Sequence, residues 1–263
     1  MNFLLLHASW GHGLTSSIPW NVPVFSVVIP AFNEAALLPR LLTSIDIARA
    51  NYAGGAEQIE VIVGNNASTD ATAAIARARA CTVVDVAQRA IAAARNGAAR
   101  VAQGEVLCFV DADSIVHPDT FNQVEHVLKT GRCVVGATGV RMERMSLGIA
   151  TTWALMVPMT RLLAMDTGVV FCRRSDFEAI GGYREELLVG EDVDLLRRLK
   201  RLGRARDQRF MRTPGARAIT SARKFDRHGD WHHLREMMLM PLRLLGSRTA
   251  LRRFVWKYWY EDR

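Results

Sequence analysis

Three observations predict an α/β fold with a mostly parallel sheet for this 263-residue chain. From Val24 onward, β-branched runs alternate with segments whose apolar residues recur at helical spacing, the pattern left by crossover connections. Three of the strand-like runs end in polar clusters: "AFNE" (31–34), "NNASTD" (65–70) and "DADS" (111–114). In open sheets ligands bind outside the carboxyl ends of the strands, so the three clusters point to one crevice.

The elements follow in order. "VFSVVIP" (24–30) is a buried strand by its β-branched run, and Leu37, Leu38, Leu41, Leu42 and Ile45 mark the helix after it. "IEVIV" (59–63) is the next strand. Ser68, Thr69 or Asp70 is placed to cap the alanine-rich helix 71–80. "CTVVDV" (81–86) reads as strand, 88–102 as helix and 105–110 as strand. "CVVGATG" (133–139) and "TGVVFC" (167–172) are further strands. "EDVDLLRRLKRLG" (191–203) is a helix with an acidic start, apolar Val193, Leu195, Leu196 and Leu199, and a glycine stop. With no internal repeat and no low-complexity linker, one compact domain over 23–203 is expected, with a helical extension over 204–263.

With 49% hydrophobic and 23% charged residues, a sizeable core is expected and global disorder is excluded. Cys81, Cys108, Cys133 and Cys172 show no CxxC pairing, which favours buried free thiols and a reducing compartment. The net charge of +8 is uneven. Residues 197–263 hold 19 Lys/Arg against 6 Asp/Glu, whereas residues 1–196 hold 15 against 20. Such a basic segment suits an anionic membrane surface, nucleic acid or a polyphosphate ligand, and equally a solvated face.

"MNFLLLHASWGHG" lacks a basic n-region and a small-residue cleavage site, so residues 1–22 are expected to be a poorly ordered leader rather than a secretory signal. The tract 146–165 carries Pro158 and Arg161, which argues against a lipid span and for a helix lying on the protein or at an interface.

The chemistry-bearing positions are acidic. If the extended conformation continued past residue 110, alternation would send Asp111 and Asp113 the same way, and a divalent cation would relieve their repulsion. Oxygen-only ligands favour Mg²⁺ or Mn²⁺, which bridge to phosphate oxygens. The competing structural reading is an Asx turn or a cap for the helix after Pro118. Glu191 and Asp192 suit a helix start through its dipole, or general-base catalysis on a hydroxyl nucleophile. Arg95, beside Asn96 on an alanine-rich helix, is placed either to offset a diphosphate or simply to be solvated.

Taken together, "FSVVIPAFNEAALLPRLL", "VIVGNNASTDAT", "ARNGAARVAQGEVLCFVDADS" and "TGVVFCRRSDFEAIGGYREELLVGEDVDLLRRL" occur in an order that resembles the family 2 inverting glycosyltransferases with the GT-A fold, over residues 24–203. That resemblance implies a nucleoside-diphosphate sugar donor, with UDP ahead of GDP, bound by Pro30, Ala31, Asn33, Glu34, Asn65, Asn66, Asp70, Arg95, Asp111 and Ala112. Asn65 and Asn66 depart from the usual Asp-Asp or Asp-Asn pair that grips the base. An Asn amide still accepts from a base N–H and donates to a carbonyl. The resemblance further implies Asp113 with Asp111 at the metal, Asp192 as catalytic base with Glu191 beside it, and Thr167 and Gly168 on the acceptor side. A sugar or lipid-linked acceptor is expected, with no nucleic acid among the partners.

In the extension, Trp231, Leu234, Met238, Leu242 and Leu245 would share one helical face beside Arg235 and Arg243. Such a helix suits peripheral membrane contact at the inner face of a cytoplasmic location, or packing on its own domain. Arg223, Lys224, His228, His232 and His233 are candidates to reach the diphosphate or the metal. His117, before Pro118, is read as a surface turn residue. Two rival functions remain. A haloacid dehalogenase-type phosphatase also places Asp-x-Asp after a strand, but that motif opens its domain, whereas here two strand–helix units precede it. A nonenzymatic nucleotide- or anion-binding module would use the basic extension alone.

Overall fold

The computed structural model describes residues 24–163, 166–187, 190–232, 234–236 and 238. The expected leader, His233, and the extension residues Leu242, Arg243 and Leu245 lie outside the described residues. The strands among them are β1 (Phe25–Ala31), β2 (Ile59–Asn65), β3 (Thr82–Asp85), β4 (Val106–Phe109), β5 (Ser114–Ile115), β6 (Cys133–Ala137), β7 (Val140–Met142), β8 (Val170–Arg173), β9 (Arg209–Arg212) and β10 (Ala218–Thr220). The helices are α1 (Leu38–Ala50), α2 (Thr72–Ala78), α3 (Ile91–Arg100), α4 (Thr120–Lys129), α5 (Leu147–Leu163), α6 (Arg174–Ala179), α7 (Glu191–Arg204) and α8 (Arg223–His228).

The main sheet has the order β3-β2-β1-β4-β8-β6-β9, and β8 alone of these seven runs antiparallel to its neighbours. The mostly parallel α/β architecture is therefore as the alternation predicts. All seven residues of β1 are buried, because helices cover both faces of the sheet. Val27 and Ile29 pack with Leu38, Leu41, Leu42 and Ile45 of α1 and with Phe121, Val124 and Val127 of α4. Val28 faces the other way, with Ile62, Leu107, Ala92 and Ala98 of α3, and Leu195, Leu196 and Leu199 of α7. Burying each of the large aliphatic side chains contributes roughly 1.5–3 kcal/mol, which is why the helical spacing around Leu38 and Leu195 was readable.

Strand order reverses at β1, which has β2 on one side and β4 on the other. A crevice opens there at the carboxyl ends, as expected of doubly wound sheets. α3 closes its floor by an unusually close approach to the sheet. A Cβ on Gly64 of β2 would stand 2.4 Å from the Ala94 carbonyl oxygen, and residues 92–99 of α3 are buried without interruption. Only glycine opposite alanine allows the backbones so near, so the helix that carries Arg95 is interior rather than solvated.

A second sheet, β5-β10-β7, was not foreseen, since strands of two or three residues leave no periodic signal. β9, a four-residue edge strand that begins and ends in arginine, and the six-residue α6 were also missed, so the segment after residue 203 is not the purely helical extension expected. Other differences have local causes. The N-cap of α2 is Ala71; Asp70 stands one position earlier and accepts from the Thr72 N–H at 2.9 Å instead. Gly203 lies inside α7 rather than ending it, because a Cβ there would meet Val134 Cγ1 of β6 at 2.6 Å. α8 ends at Gly229, whose φ is 87°, and beyond that break residues 232, 234–236 and 238 are helical again, which is where the face drawn through Trp231, Leu234 and Met238 begins. α5 contains Pro158, and no helix among the described residues is long and apolar enough to cross a membrane. Cys108, Cys133 and Cys172 are buried and all four cysteines are free, as anticipated.

Gly64→Ala tests the close approach of α3. Overpacking against a backbone carbonyl typically costs about 1–3 kcal/mol, so the urea midpoint is expected to fall accordingly. An unchanged midpoint would show that α3 shifts without cost.

Candidate functional site

The crevice is a shallow cleft, partly open to solvent, lined by Pro30, Ala31, Phe32, Glu34, Asn66, Ile91, Ala94, Asp111, Ala112 and Asp113. Loops after β1, β2 and β4 supply most of this lining, so the three polar clusters do converge. They do so with a division of labour. Asn33, in the left-handed region at φ 52°, accepts from the Thr69 N–H at 2.8 Å. Asn65 donates to Asp85 at 2.7 Å and accepts from the Ser68 N–H at 3.3 Å. Asp70 accepts from the Ala35 N–H and from Thr72; burial opposes its charge, but these hydrogen bonds hold its carboxyl below the ordinary value. Asn33 and Asp70 tie the β1 and β2 loops together and Asn65 ties the end of β2 to β3, while Asn66 reaches the cleft.

Beyond Phe109 the chain does not stay extended. The Ser114 N–H donates to the Asp111 carbonyl at 3.0 Å, closing a turn. Asp111 and Asp113 are therefore not a side-by-side pair, and each meets a different arginine. Nor do they cap the helix after Pro118, whose N-cap is Asp119. His117 is exposed, as read.

Arg95 is the centre of the site. Its side chain is only 7% exposed. One terminal nitrogen donates to Asp192 Oδ1 at 2.7 Å and lies 3.5 Å from Glu191; the other donates to Asp111 Oδ1 at 2.9 Å. A buried guanidinium thus joins the end of β4 to the start of α7. Burial alone would push the Arg95 pKa down, but Asp192, Tyr183, Asp111 and Glu191 push it well up, so it stays charged. The bland expectation of a solvated arginine fails because α3 is buried on all sides.

Asn96, the next residue, organises the loop before α7. Its Oδ1 accepts from the Tyr183 N–H and its Nδ2 donates to the Tyr183 carbonyl, both at 2.9 Å. Gly181 and Gly182, at φ 74° and 68°, let the backbone turn there. The turn delivers the Tyr183 hydroxyl to Asp192 Oδ1 at 3.2 Å and its ring to 5.0 Å from the Arg95 guanidinium. Tyr183 was not singled out from sequence; its place directly after the Gly181-Gly182 pair was the available signal. α7 then begins at Gly190 with Glu191 and Asp192 in its first turn, where the helix dipole favours negative charge.

Glu34, 2% exposed, is gripped through both oxygens by Arg223, at 2.9 and 2.8 Å, and Arg223 also lies 3.7 Å from Asp113. Of the basic candidates proposed for the extension, Arg223 is seen at the cleft. Thr167 and Gly168 precede β8 at the end where β4 leaves, since Phe109 pairs with Val170. A Cβ on Gly168, at φ 98°, would stand 2.4 Å from the Gly139 carbonyl, so that wall is tight.

Among the described residues no three His, Cys, Asp or Glu side chains converge on a metal position. The carboxylates of Glu34, Asp111, Asp113, Glu191 and Asp192 nonetheless outnumber the Arg95 and Arg223 guanidiniums that hold them. A hard cation that keeps its waters and takes one carboxylate fits such a site.

Breaking the central cluster should be costly. Arg95→Met is expected to destabilise by about 3 kcal/mol, the low end for a buried ion cluster because Asp111 and Asp192 are partly hydrated; chemical denaturation measures it. Burial and the neighbouring Asp192 push Glu191 above its ordinary value, with Arg95 opposing. The folded state therefore binds more protons than the unfolded one just above that ordinary value, and this contribution to stability falls as pH rises through the window. Glu191→Gln should remove that fall, so its stability relative to the native chain rises between mildly acidic and neutral pH.

The model of glycosyl transferase family 2 matches residues 26–180. Validoxylamine A glucosyltransferase of Streptomyces hygroscopicus subsp. jinggangensis is 35% identical over 111 residues, 40% of this chain and 25% of that protein. The chain thus spans a quarter of that relative's length. The fold is shared with TarS 1-349 of S. aureus, solved in complex with UDP, at TM-score 0.58 and 18% identity over 75% of this chain and 60% of that one. It is shared likewise with mannosyltransferase PcManGT of Pyrobaculum calidifontis, solved with GDP-Man and Mn²⁺, at TM-score 0.59 and 22% identity over 77% and 60%. With 26–180 matched and the strand-end loops meeting in one cleft, this chain belongs to glycosyl transferase family 2.

Proposed function

We propose that this chain moves a sugar from a nucleoside-diphosphate sugar to an acceptor hydroxyl, with inversion and with Mg²⁺ or Mn²⁺ held at Asp113. The observation that carries the reading is the Arg95 cluster, which joins Asp192 to the Asp111 turn that lines the cleft. In the donor pose, Pro30, Ala31 and Ala112 form apolar walls of the cleft. Asn66 donates through Nδ2 to the Gln88 carbonyl, leaving Oδ1 to accept a base N–H. Uracil and guanine both carry such an N–H, and neighbours of this fold bind UDP and GDP-Man, so UDP is favoured with GDP second.

Asp192 is the base. Its Oδ1 is held by Arg95 and Tyr183, so Oδ2 takes the proton as the acceptor oxygen attacks the anomeric carbon. The bond to the diphosphate breaks in the same displacement and its electron pair leaves with the phosphate oxygen. When bound, the divalent ion supplies Lewis-acid stabilisation of that developing charge. Glu191 is the acidic neighbour, Asp111 turns towards the ribose side, and Thr167 and Gly168 form the acceptor wall.

A phosphatase using Asp111 as nucleophile is disfavoured by the family 2 match over residues 26–180 and by the strand–helix units that precede the Asp-x-Asp. Exposed Met145, Leu147, Leu155, Trp231 and Met238, with the basic extension, support peripheral membrane contact and a lipid-linked acceptor.

Asp192→Asn should lower turnover on the order of 10²–10⁴-fold while nucleotide-sugar binding persists. A screen of sugar nucleotides for Mn²⁺-dependent hydrolysis, with a chelated control, identifies the donor; near-normal turnover of the variant would remove Asp192 as base. Liposomes containing anionic lipid should float the full chain but not one lacking residues 225–263, and equal partitioning would end the membrane assignment.

A further inference from the structure

Glu34 and Arg223 stand 189 positions apart, yet form the most buried two-pronged ion pair at the cleft. The small sheet explains how they meet. Thr220 of β10 pairs with Ser114 of β5, the residue after Asp113, so Arg223 is delivered three residues beyond that register point. The arm that carries it is anchored. Arg144 donates to Asp226 and to Asp230, gripping α8 and the segment after it. Glu34 is equally fixed: its N–H donates to Thr72 Oγ1 at 2.8 Å, and its carbonyl accepts from the N–H groups of Leu37 and Leu38.

A pair that merely fastened the C-terminal segment would be expected at the periphery. This one lies where Glu34 and Asp113 both line the donor cleft. Two-pronged contact with Glu34 fixes the plane of the guanidinium, and the same terminal nitrogen that touches Glu34 Oε1 faces Asp113 Oδ2 at 3.7 Å. Arg223 thus has a strong anchor and a weaker second anion, and the weaker one is the proposed metal ligand.

Resting on the donor reading above, we propose that Glu34 is a positioning residue for Arg223, and that Arg223 acts as a charge stand-in on Asp113. While the cleft is empty, Arg223 offsets the Asp113 carboxylate. Once a divalent ion takes that carboxylate, Arg223 keeps its hold on Glu34 and turns its exposed edge to the incoming diphosphate. The device balances a cleft rich in carboxylates without blocking it. It also makes donor binding depend on the docking of the C-terminal segment, because β10 and α8 bring Arg223 in.

The two partners make opposite predictions, which a purely structural pair would not. Removing Arg223 takes one competing cation away from Asp113; removing the Glu34 charge drives Arg223 towards Asp113. Mn²⁺ binding alone, followed by loss of the free-ion EPR signal, should therefore tighten on the order of tenfold in Arg223→Gln and weaken on the order of tenfold in Glu34→Gln. Calorimetry with Mn²⁺ and UDP, repeated with GDP, should show the nucleotide complex weakened in both variants. Thermal melts confirm that each variant is folded, and Arg223→Lys, which keeps the charge without the fork, should fall between native and Arg223→Gln. Shifts of the same sign for Mn²⁺ alone in the two Gln variants, or no shift in either, overturn the proposal while leaving the donor reading intact. A native chain that binds neither nucleotide with Mn²⁺ overturns the donor reading, and the proposal with it.

Discussion

Arg95 is a permanent positive charge held away from water, and the arrangement of the cleft follows from the need to satisfy it. A guanidinium in a low-dielectric interior is tolerable only with close, well-aligned anions. Two chain segments distant in sequence, the Asp111 turn and the start of α7, supply them. The requirement works in both directions. Without Arg95, the Glu191 and Asp192 carboxylates would repel each other and drift into solvent; without them, α3 could not bring an arginine so close to β2. The small residues of α3, facing Gly64, create the space in which this exchange takes place.

The second arginine solves a related problem by a different route. Arg223 is half-exposed and arrives from the far end of the described chain, carried by a three-stranded sheet of very short strands. Its hydrogen bonds to Glu34 raise its pKa, with burial opposing and the charges of Glu34 and Asp113 assisting, so it remains cationic at any physiological pH. The two arginines divide the carboxylates between them. Arg95 orders the proposed base side and Arg223 orders the proposed metal side. Asp111 and Asp113, two positions apart, fall to different arginines because the chain turns at their midpoint rather than continuing as strand.

Such an acidic cleft is ill suited to a bare diphosphate, whose own charges would be repelled at these distances even at a surface-like dielectric. The proposed divalent ion, if held at one of these carboxylates, would supply the positive charge that removes the conflict. Around this electrostatic centre the loops after β1 and β2 are fastened through Asn33 and the Asp70 carboxylate, and the end of β2 is fastened to β3 through Asn65. Positions that look like ligand contacts by motif are therefore partly scaffold.

What the sequence determined by itself is the part governed by short-range periodicity. Alternating β-branched runs and helical leucines specify the parallel sheet, its order of appearance and the edge on which polar clusters gather, because burial on two faces leaves a repeating trace in every segment. The acidic residues at 111, 113, 191 and 192 are visible for the same reason, as polar residues where packing would favour apolar ones. What only the tertiary structure decided is which charges meet. Arg95 on an alanine-rich helix reads as solvated until the sheet shows that alanine and glycine bring it inside. Tyr183 is one aromatic among many until Asn96 turns its loop. Arg223 is one of 19 basic residues after position 196 until β5 and β10 pair. Two- and three-residue strands carry no period, and an ion pair spanning 189 positions leaves no local mark. These contacts are set by the closing of the fold, and they place the cleft's charges.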